Sequence, residues 1–448
     1  MAELALSSGE AHGGRKSTRF IKGTMEPKPA NVSGDGIKAM LLHPLNLMLI
    51  CFPLGVISHL CSWGDNLIFW LNFLALVPLA KILGDATEEL AAGLKNDMLA
   101  GLLNATFGNA VEMVIMVQML RAGYMEVVKA TLLGSVLSNL LLVLGMSFFF
   151  GGLIGSQKKR IQFSAIGGGS MRKSMSPNRL SFTEVQQESY TEFVGEKVQT
   201  YSVMSALVNT SMLLLSCLSF SLVTVFASET QKDGSSMMDD SVLLPVSRIC
   251  SVIIMLAYGA YIFFQLVTHR ESMAEDEGPG DGEQEDEPAL TIPQSIGVML
   301  ACTCIVAFSS DLLVSSLEGV VEHVGISEHF IGIILLPIVG NACEHASAIR
   351  FAIMDKPGLS IGIAVGSSTQ ISLFVVPFSV LCGWALNQPM DLEFGNLNTT
   401  VMSISVVVVL SVVVDGTANW LQGYLLISAY LVVAVLYWHL PNAVKTEV

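Results

Sequence analysis

The sequence predicts an all-α polytopic membrane protein of about eleven transmembrane helices, arranged as one N-terminal helix plus two inverted five-helix repeats. Three observations carry this expectation. Hydrophobic types make up 52% of the 448 residues and charged types only 14%, whereas soluble domains carry about 25% charged residues. The apolar residues fall into blocks near the ~20 residues that cross a bilayer as a helix. Finally, Gly108-Asn109-Ala110-Val111-Glu112 recurs 232 positions later as Gly340-Asn341-Ala342-Cys343-Glu344.

Spans are expected near 41–61, 66–83, 98–120, 129–153, 203–227, 242–267, 292–317, 328–353, 360–386, 399–414 and 419–440. Gly and Pro inside several of them are tolerable where neighbouring helices re-satisfy the backbone. The first forty residues are polar and basic. No short apolar core with a small-residue cleavage site follows, so the run from Leu41 is expected to be a retained span. The expected domains are a cytosolic tail at 1–40, a first transmembrane helix at 41–65, and a first five-helix repeat at 66–270 with a cytosolic loop at 155–200. An acidic cytosolic linker at 271–290 and a second five-helix repeat at 291–448 complete them.

Orientation follows from Lys and Arg, which favour the cytosolic side. With a cytosolic N-terminus, 18 of the 23 Lys and Arg residues fall in cytosolic segments. Only Arg121, Lys129, Lys232, Arg248 and Lys445 fall opposite. The net charge of −15 is concentrated in one place, because nine acids and no Lys or Arg lie between Glu271 and Pro288. Such a balance points away from nucleic acid. The Ser-rich 155–200 loop reads as a solvated loop that obeys the positive-inside rule. The eight cysteines show no zinc or disulfide spacing, and no resident cofactor is expected.

The repeat extends beyond the motif. At the same offset Gly134-Ser135 matches Gly366-Ser367, and Leu141 and Val143 match Leu373 and Val375. An odd number of expected spans separates the copies, so the second crosses the membrane in the opposite sense. Inverted repeats mark secondary transporters, whose substrate sites lie near the bilayer midplane where the repeats meet.

Glu112 and Glu344 fall inside apolar spans, where a carboxylate costs about 2.5–3.5 kcal/mol on insertion scales. No Lys or Arg accompanies either; the nearest, Arg350, lies six residues beyond Glu344. An acid buried without a cation keeps its proton, and a divalent cation favours the ionised form. One carboxylate can therefore carry either a proton or a share of a metal ion. Asn109 and Asn341 stand three residues before these acids, on the same helical face, and calcium takes six to eight oxygen ligands of this kind. Ser135 and Asn139 on the fourth span, and Ser367 and Gln370 on the ninth, add polar atoms, although interhelical hydrogen bonding would also explain them. His345 points elsewhere around the helix, as a proton relay or a packed neutral side chain. Glu88 and Glu89 are expected to end the second span, and Glu318 and Glu322 the seventh. Glu88 and Glu318 then become entrance acids at opposite mouths, or simply solvated helix ends.

The runs 102–112 (LLNATFGNAVE), 133–139 (LGSVLSN), 336–346 (LPIVGNACEHA) and 366–370 (GSSTQ) resemble the plant vacuolar cation/proton exchangers of the calcium/cation antiporter superfamily. The similarity covers about residues 40–440. It implies eleven spans, a multi-pass vacuolar membrane location with a cytosolic N-terminus, and uptake of cytosolic calcium driven by lumenal protons. It also implies that Glu112 and Glu344 bind the metal, that Asn109, Asn341, Ser135, Asn139 and Gln370 assist, that His345 matches a family histidine, and that Glu88 lies near the cytosolic entrance. Calcium and protons are the expected partners. Membrane lipid, manganese or other divalent metals, and regulatory proteins at the N-terminal tail extend that set. Cys343 departs from the resemblance, standing where Ala is usual. A secondary transporter, not an enzyme, is the expectation; an intramembrane metallohydrolase would need two histidines one turn apart, and HExxH is absent. A sodium/calcium-type exchanger of the same superfamily and a non-transporting receptor or scaffold are the remaining alternatives.

Overall fold

The computed structural model describes residues 35–94, 97–154, 198–232, 239–270 and 289–440. Most of the expected tail, most of the 155–200 loop and most of the acidic linker lie outside the described residues. A short helix α1 (Asp35–Leu41) leads into the 3-10 segment Pro44–Ile50 and α2 (Cys51–Leu60). Helix α3 (Asp65–Gly93) follows, then α4 (Asp97–Phe107), α5 (Ala110–Ala122) and α6 (Met125–Ile154). A two-residue strand β1 (Gln199–Thr200) precedes α7 (Val203–Lys232) and α8 (Asp239–Phe263). The second half contains α9 (Ile292–Ser315), α10 (Leu317–Val324), α11 (Glu328–Gly340), α12 (Ala342–Ile353), α13 (Pro357–Ala385) and α14 (Asn396–Val413). Strand β2 (Thr417–Ala418) pairs antiparallel with β1, and α15 (Trp420–Trp438) ends the described chain.

Among the described residues, eight helices are long and apolar enough to cross a membrane, and α11 with α12 makes a ninth if that pair, bent by 58°, is one span. The other two expected spans have different forms. The first is the shorter apolar segment Pro44–Leu60. The third is divided into α4 and α5 at Gly108-Asn109.

Helix α3 runs ten residues past the expected end at 83. Ala86, Leu90 and Ala91 propagate it and are buried. Lys81 pairs with Asp85 one turn on. Glu88 and Glu89 are therefore interior to a helix and do not end one. Glu318 and Glu322 belong to the separate helix α10 and are exposed.

Helices α3 and α9, at corresponding places in the two repeats, pack along each other. Ser309 Oγ donates to Asn72 Oδ1 at 3.0 Å, and Cys302 Sγ to the Leu79 carbonyl at 3.2 Å. Helix α6 is buried without interruption from Val127 to Leu141. Helices α8 and α15, by contrast, present large apolar side chains outward, with Leu256 69% and Val432 70% exposed. In a chain of spanning helices that is the face toward lipid.

Both repeats widen at one corresponding step, and the second has a further widened turn at Ile331–Leu335 where the first is regular helix. Helix α6 widens to π-helical turns over Ser138–Val143, and α13 over Ile371–Val375. A shift of 232 carries the first almost onto the second. Such π turns insert an extra residue and collect at functional sites.

Candidate functional site

Each copy of the repeated motif interrupts a helix at its asparagine. Asn109 (φ −107°, ψ 33°) and Asn341 (φ −87°, ψ 16°) leave helical geometry, and α5 and α12 start on the next residue. Glu112 and Glu344 thus stand in the first turn of their helices, where the positive end of the helix dipole favours a carboxylate. An asparagine before a helix ordinarily caps it with its side-chain oxygen. Neither does so here. Their amides reach instead toward the other half of the molecule.

Asn341 Nδ2 donates to the Ser135 carbonyl at 3.2 Å, and Ser367 Oγ donates to Asn109 Oδ1 at 3.2 Å. The 232-residue shift exchanges Asn109 with Asn341 and Ser135 with Ser367. The same pair of positions is thus bridged in both directions, once from the Asn amide to a backbone carbonyl and once from the Ser hydroxyl to the Asn oxygen. Asn139 Nδ2 donates to Ser367 Oγ at 3.0 Å, which completes a chain through α6, α13 and the first helix break.

A cavity of about 150 Å³ lies against both breaks, and its walls include Gly84, Thr87 and Glu88 of α3, Gly108, Glu112, Gly340, Cys343, Glu344 and Ser347. Glu112 is buried and Glu344 half-buried. Glu112 Oε1 and Glu344 Oε2 are both buried atoms with no hydrogen-bond partner, as are Asn139 Oδ1, Asn341 Oδ1 and Ser135 Oγ. A buried acceptor left unpaired costs about 1–3 kcal/mol. The two carboxylate oxygens belong to residues of the cavity wall, while Ser135, Asn139 and Asn341 belong to the hydrogen-bonded chain beside the helix breaks.

The remaining expected residues sort by position. His345 Nδ1 lies 2.7 Å from the Asn341 carbonyl. A carbonyl only accepts, so Nδ1 carries hydrogen there, and Nε2 is buried without a partner. Gln370 is buried at the end of the α-helical part of α13. Glu88 lines the cavity; Glu318 does not.

Comparisons with known proteins show the family of the chain. The profile of the family described as "Sodium/calcium exchanger protein" matches residues 66–267 and 294–438. The chain belongs to this family. It is 37% identical over 401 residues to "Vacuolar cation/proton exchanger 3" of Oryza sativa subsp. japonica, covering 88% of this chain and 85% of the relative. It is 36% identical over 410 residues to a "Ca(2+)/H(+) antiporter" of Synechocystis sp., covering 89% and 98%. The solved structure of native YfkE superposes with a TM-score of 0.64 at 30% identity, covering 88% of this chain and all of that one.

This family member also contains site features that the sequence did not single out. Thr87 and Ser347 join the cavity wall, and Cys343 lines it beside Glu344. Lys129 counts in the sequence as one of five charges on the cation-poor side. In the structure its side chain is 5% exposed and bonds at 2.9 Å to both Glu126 and Asp391. A lysine four residues inside an apolar helix was the available signal. Its partner Asp391, more than 250 positions away, was not visible.

Proposed function

We propose that this protein is a secondary antiporter that moves calcium from the cytosol into the vacuole in exchange for lumenal protons. Glu112 and Glu344 hold the cation in this scheme. The observation that carries it is the meeting of both repeated motifs at one cavity, each with an unpaired buried carboxylate oxygen. The relatives named as vacuolar cation/proton exchangers and as Ca(2+)/H(+) antiporters supply the substrate class and the compartment.

The chemistry follows from competition. The two carboxylates, the Asn341 and Asn139 amide oxygens and the Ser135 hydroxyl offer hard oxygen donors, and water completes the six to eight that calcium takes. Manganese or another divalent metal would compete for the same donors. Protons from the acidic lumen neutralise the carboxylates and release the cation. Rocking of one repeat against the other then exposes the site to neutral cytosol, where proton loss restores affinity.

In this scheme 66–270 and 291–448 are the inverted halves, and the N-terminus is cytosolic. Glu88 gathers cations at the cytosolic mouth and Glu318 lies at the other. Asn109 and Gln370 support the ligand-bearing helices, and His345 Nε2 offers a relay for protons. The basic tail is the segment available to regulatory proteins and lipid.

The test is proton-driven calcium uptake into vesicles. Glu112→Gln and Glu344→Gln keep the side-chain size and remove the exchangeable proton, so each should abolish uptake in a folded protein. Uptake retained by either variant would remove the assignment. A flux that collapses with the pH gradient and ignores sodium distinguishes proton coupling from a sodium/calcium-type exchanger.

A further inference from the structure

The chain between α13 and α14 is built as a plug. Met390, Leu392 and Phe394 are buried, while Asp391 and Glu393 between them keep partial exposure. That two-residue alternation is the pattern of an extended segment with one face packed inward. The Leu392 amide donates to Ser247 Oγ of α8 at 3.1 Å, and the Phe394 amide to Thr224 Oγ1 of α7 at 3.3 Å. A Cβ on Gly383 of α13 would stand 2.5 Å from Met390 Cβ, so only glycine admits this seating.

Lys129 fixes the plug to the other half. It lies in the second turn of α6 and pairs with Asp391 of the plug and with Glu126 of its own helix, each at 2.9 Å. At about 1.5 Å per residue, Lys129 is about 9 Å along α6 from Ser135 and about 15 Å from Asn139. The cavity extends away from Lys129, because its walls run from Glu112 and Gly340 at the helix breaks to Glu88 near the end of α3 and Ser347 of α12. Between Lys129 and Asn139 every residue of α6 is buried. The cavity thus lies on one side of Ser135 and Asn139, and the contact of Lys129 with Asp391 on the other. The shift of 232 carries Lys129 to Ile361, so the second half has no counterpart of this lysine.

The geometry points to Lys129 as a positioning residue, an ionic latch that seats the 387–395 plug and holds this side shut while the cavity side is open. An isolated buried lysine is costly unless paired. Separating the plug from α6 strands Lys129 from Asp391, and the latch therefore biases the alternating-access equilibrium. This rests on the transport proposal for its consequence in flux, but its structural part can be measured without any cargo.

The experiment is hydrogen exchange on the full chain in membranes, combined with calcium-uptake kinetics. Lys129→Met keeps length and removes charge. Exchange should rise over 124–128 and 387–395 and stay level or fall over the Glu88 segment, and Lys129→Arg should restore protection. If the latch holds the population that accepts cytosolic cation, lowering that population to a fifth raises the apparent KM about fivefold with the maximal rate kept. Lys129→Met with Asp391→Asn, which leaves no unpaired buried charge between them, should behave alike and covers a failure of the single variant to fold. Unchanged exchange at the plug overturns the proposal. So does equal loosening at both ends, or loss of fold in the single and double variants, since each makes Lys129 a general packing residue. Altered exchange with an unchanged apparent KM would overturn the bias assigned to the latch, whereas absence of proton-driven uptake in the unsubstituted protein would count against the transport proposal alone.

Discussion

Gly340 approaches Glu112 so closely that a Cβ placed on it would stand 2.7 Å from Oε1 and 3.2 Å from the carboxyl carbon. One motif's glycine therefore makes room for the other motif's acid. Gly340→Ala should displace the carboxylate. Overpacking of this kind costs about 1–3 kcal/mol, so cation affinity should fall roughly tenfold or more while the protein still folds. The KM for calcium in vesicles, together with the melting temperature of the purified protein, checks this. An unchanged KM would mean that Glu112 does not need its present position.

Ser367 accepts from Asn139 and donates to Asn109. Ser367→Ala removes both bonds and leaves two buried amides less satisfied, at about 1–3 kcal/mol. Calcium affinity should drop several-fold, and Ser367→Thr, which keeps the hydroxyl, should lose less. Equal losses in the two variants would assign the effect to space, not to hydrogen bonding.

Cys343 lines the cavity, and its Sγ would lie 3.0 Å from a Cβ built on Gly84. The methylthio group that methyl methanethiosulfonate transfers to that sulfur, with methanesulfinate as the leaving group, lacks room toward Gly84 of α3 and occupies the cavity. Methyl methanethiosulfonate should therefore inhibit uptake, calcium should slow the inhibition, and Cys343→Ala should transport normally and resist the reagent. The exposed thiols of Cys61 and Cys304 remain in that variant. Full inhibition of it would place the sensitive thiol elsewhere.

Burial raises the Glu393 carboxyl above its ordinary value, against the lowering influence of Lys129. The folded plug thus binds this proton more tightly than the unfolded chain does. Its stabilising contribution is complete below the unfolded value, about 4.3, and is lost as pH rises through the raised folded value. Hydrogen exchange over 387–395, corrected for intrinsic rates, should show less protection at neutral than at acid pH. Glu393→Gln should flatten that dependence.

Composition and run length made the helical membrane fold legible. The exact offset of the two motifs made the pairing of Glu112 with Glu344 legible too, because a carboxylate in an apolar run has few structural uses. Helix continuity was harder to read. Nothing in Gly108-Asn109 states that α5 must restart there, since the break is held by Ser367 from the far half. The reach of α3 to Gly93 is hard to read because charged residues 85–89 look like an end, whereas Lys81 and the backbone of Leu290 satisfy two of them. Lys129 was legible only as a charge. Its role depends on a loop that the chain supplies after seven more helices.

The π turns in α6 and α13 set a rule for how this sequence can vary. Each widened turn accommodates one residue more than a regular helix would, so the helix on either side keeps the facing it would have without that residue. Deleting Leu141 would let the turn close to regular helix and keep Ser135 and Asn139 in register with the buried face that continues through Leu144 and Phe148. The same deletion in a regular stretch, such as at Leu133, would rotate everything beyond it by about 100°. Around these two positions the chain should therefore tolerate the loss of one residue far better than the regular turns on either side do.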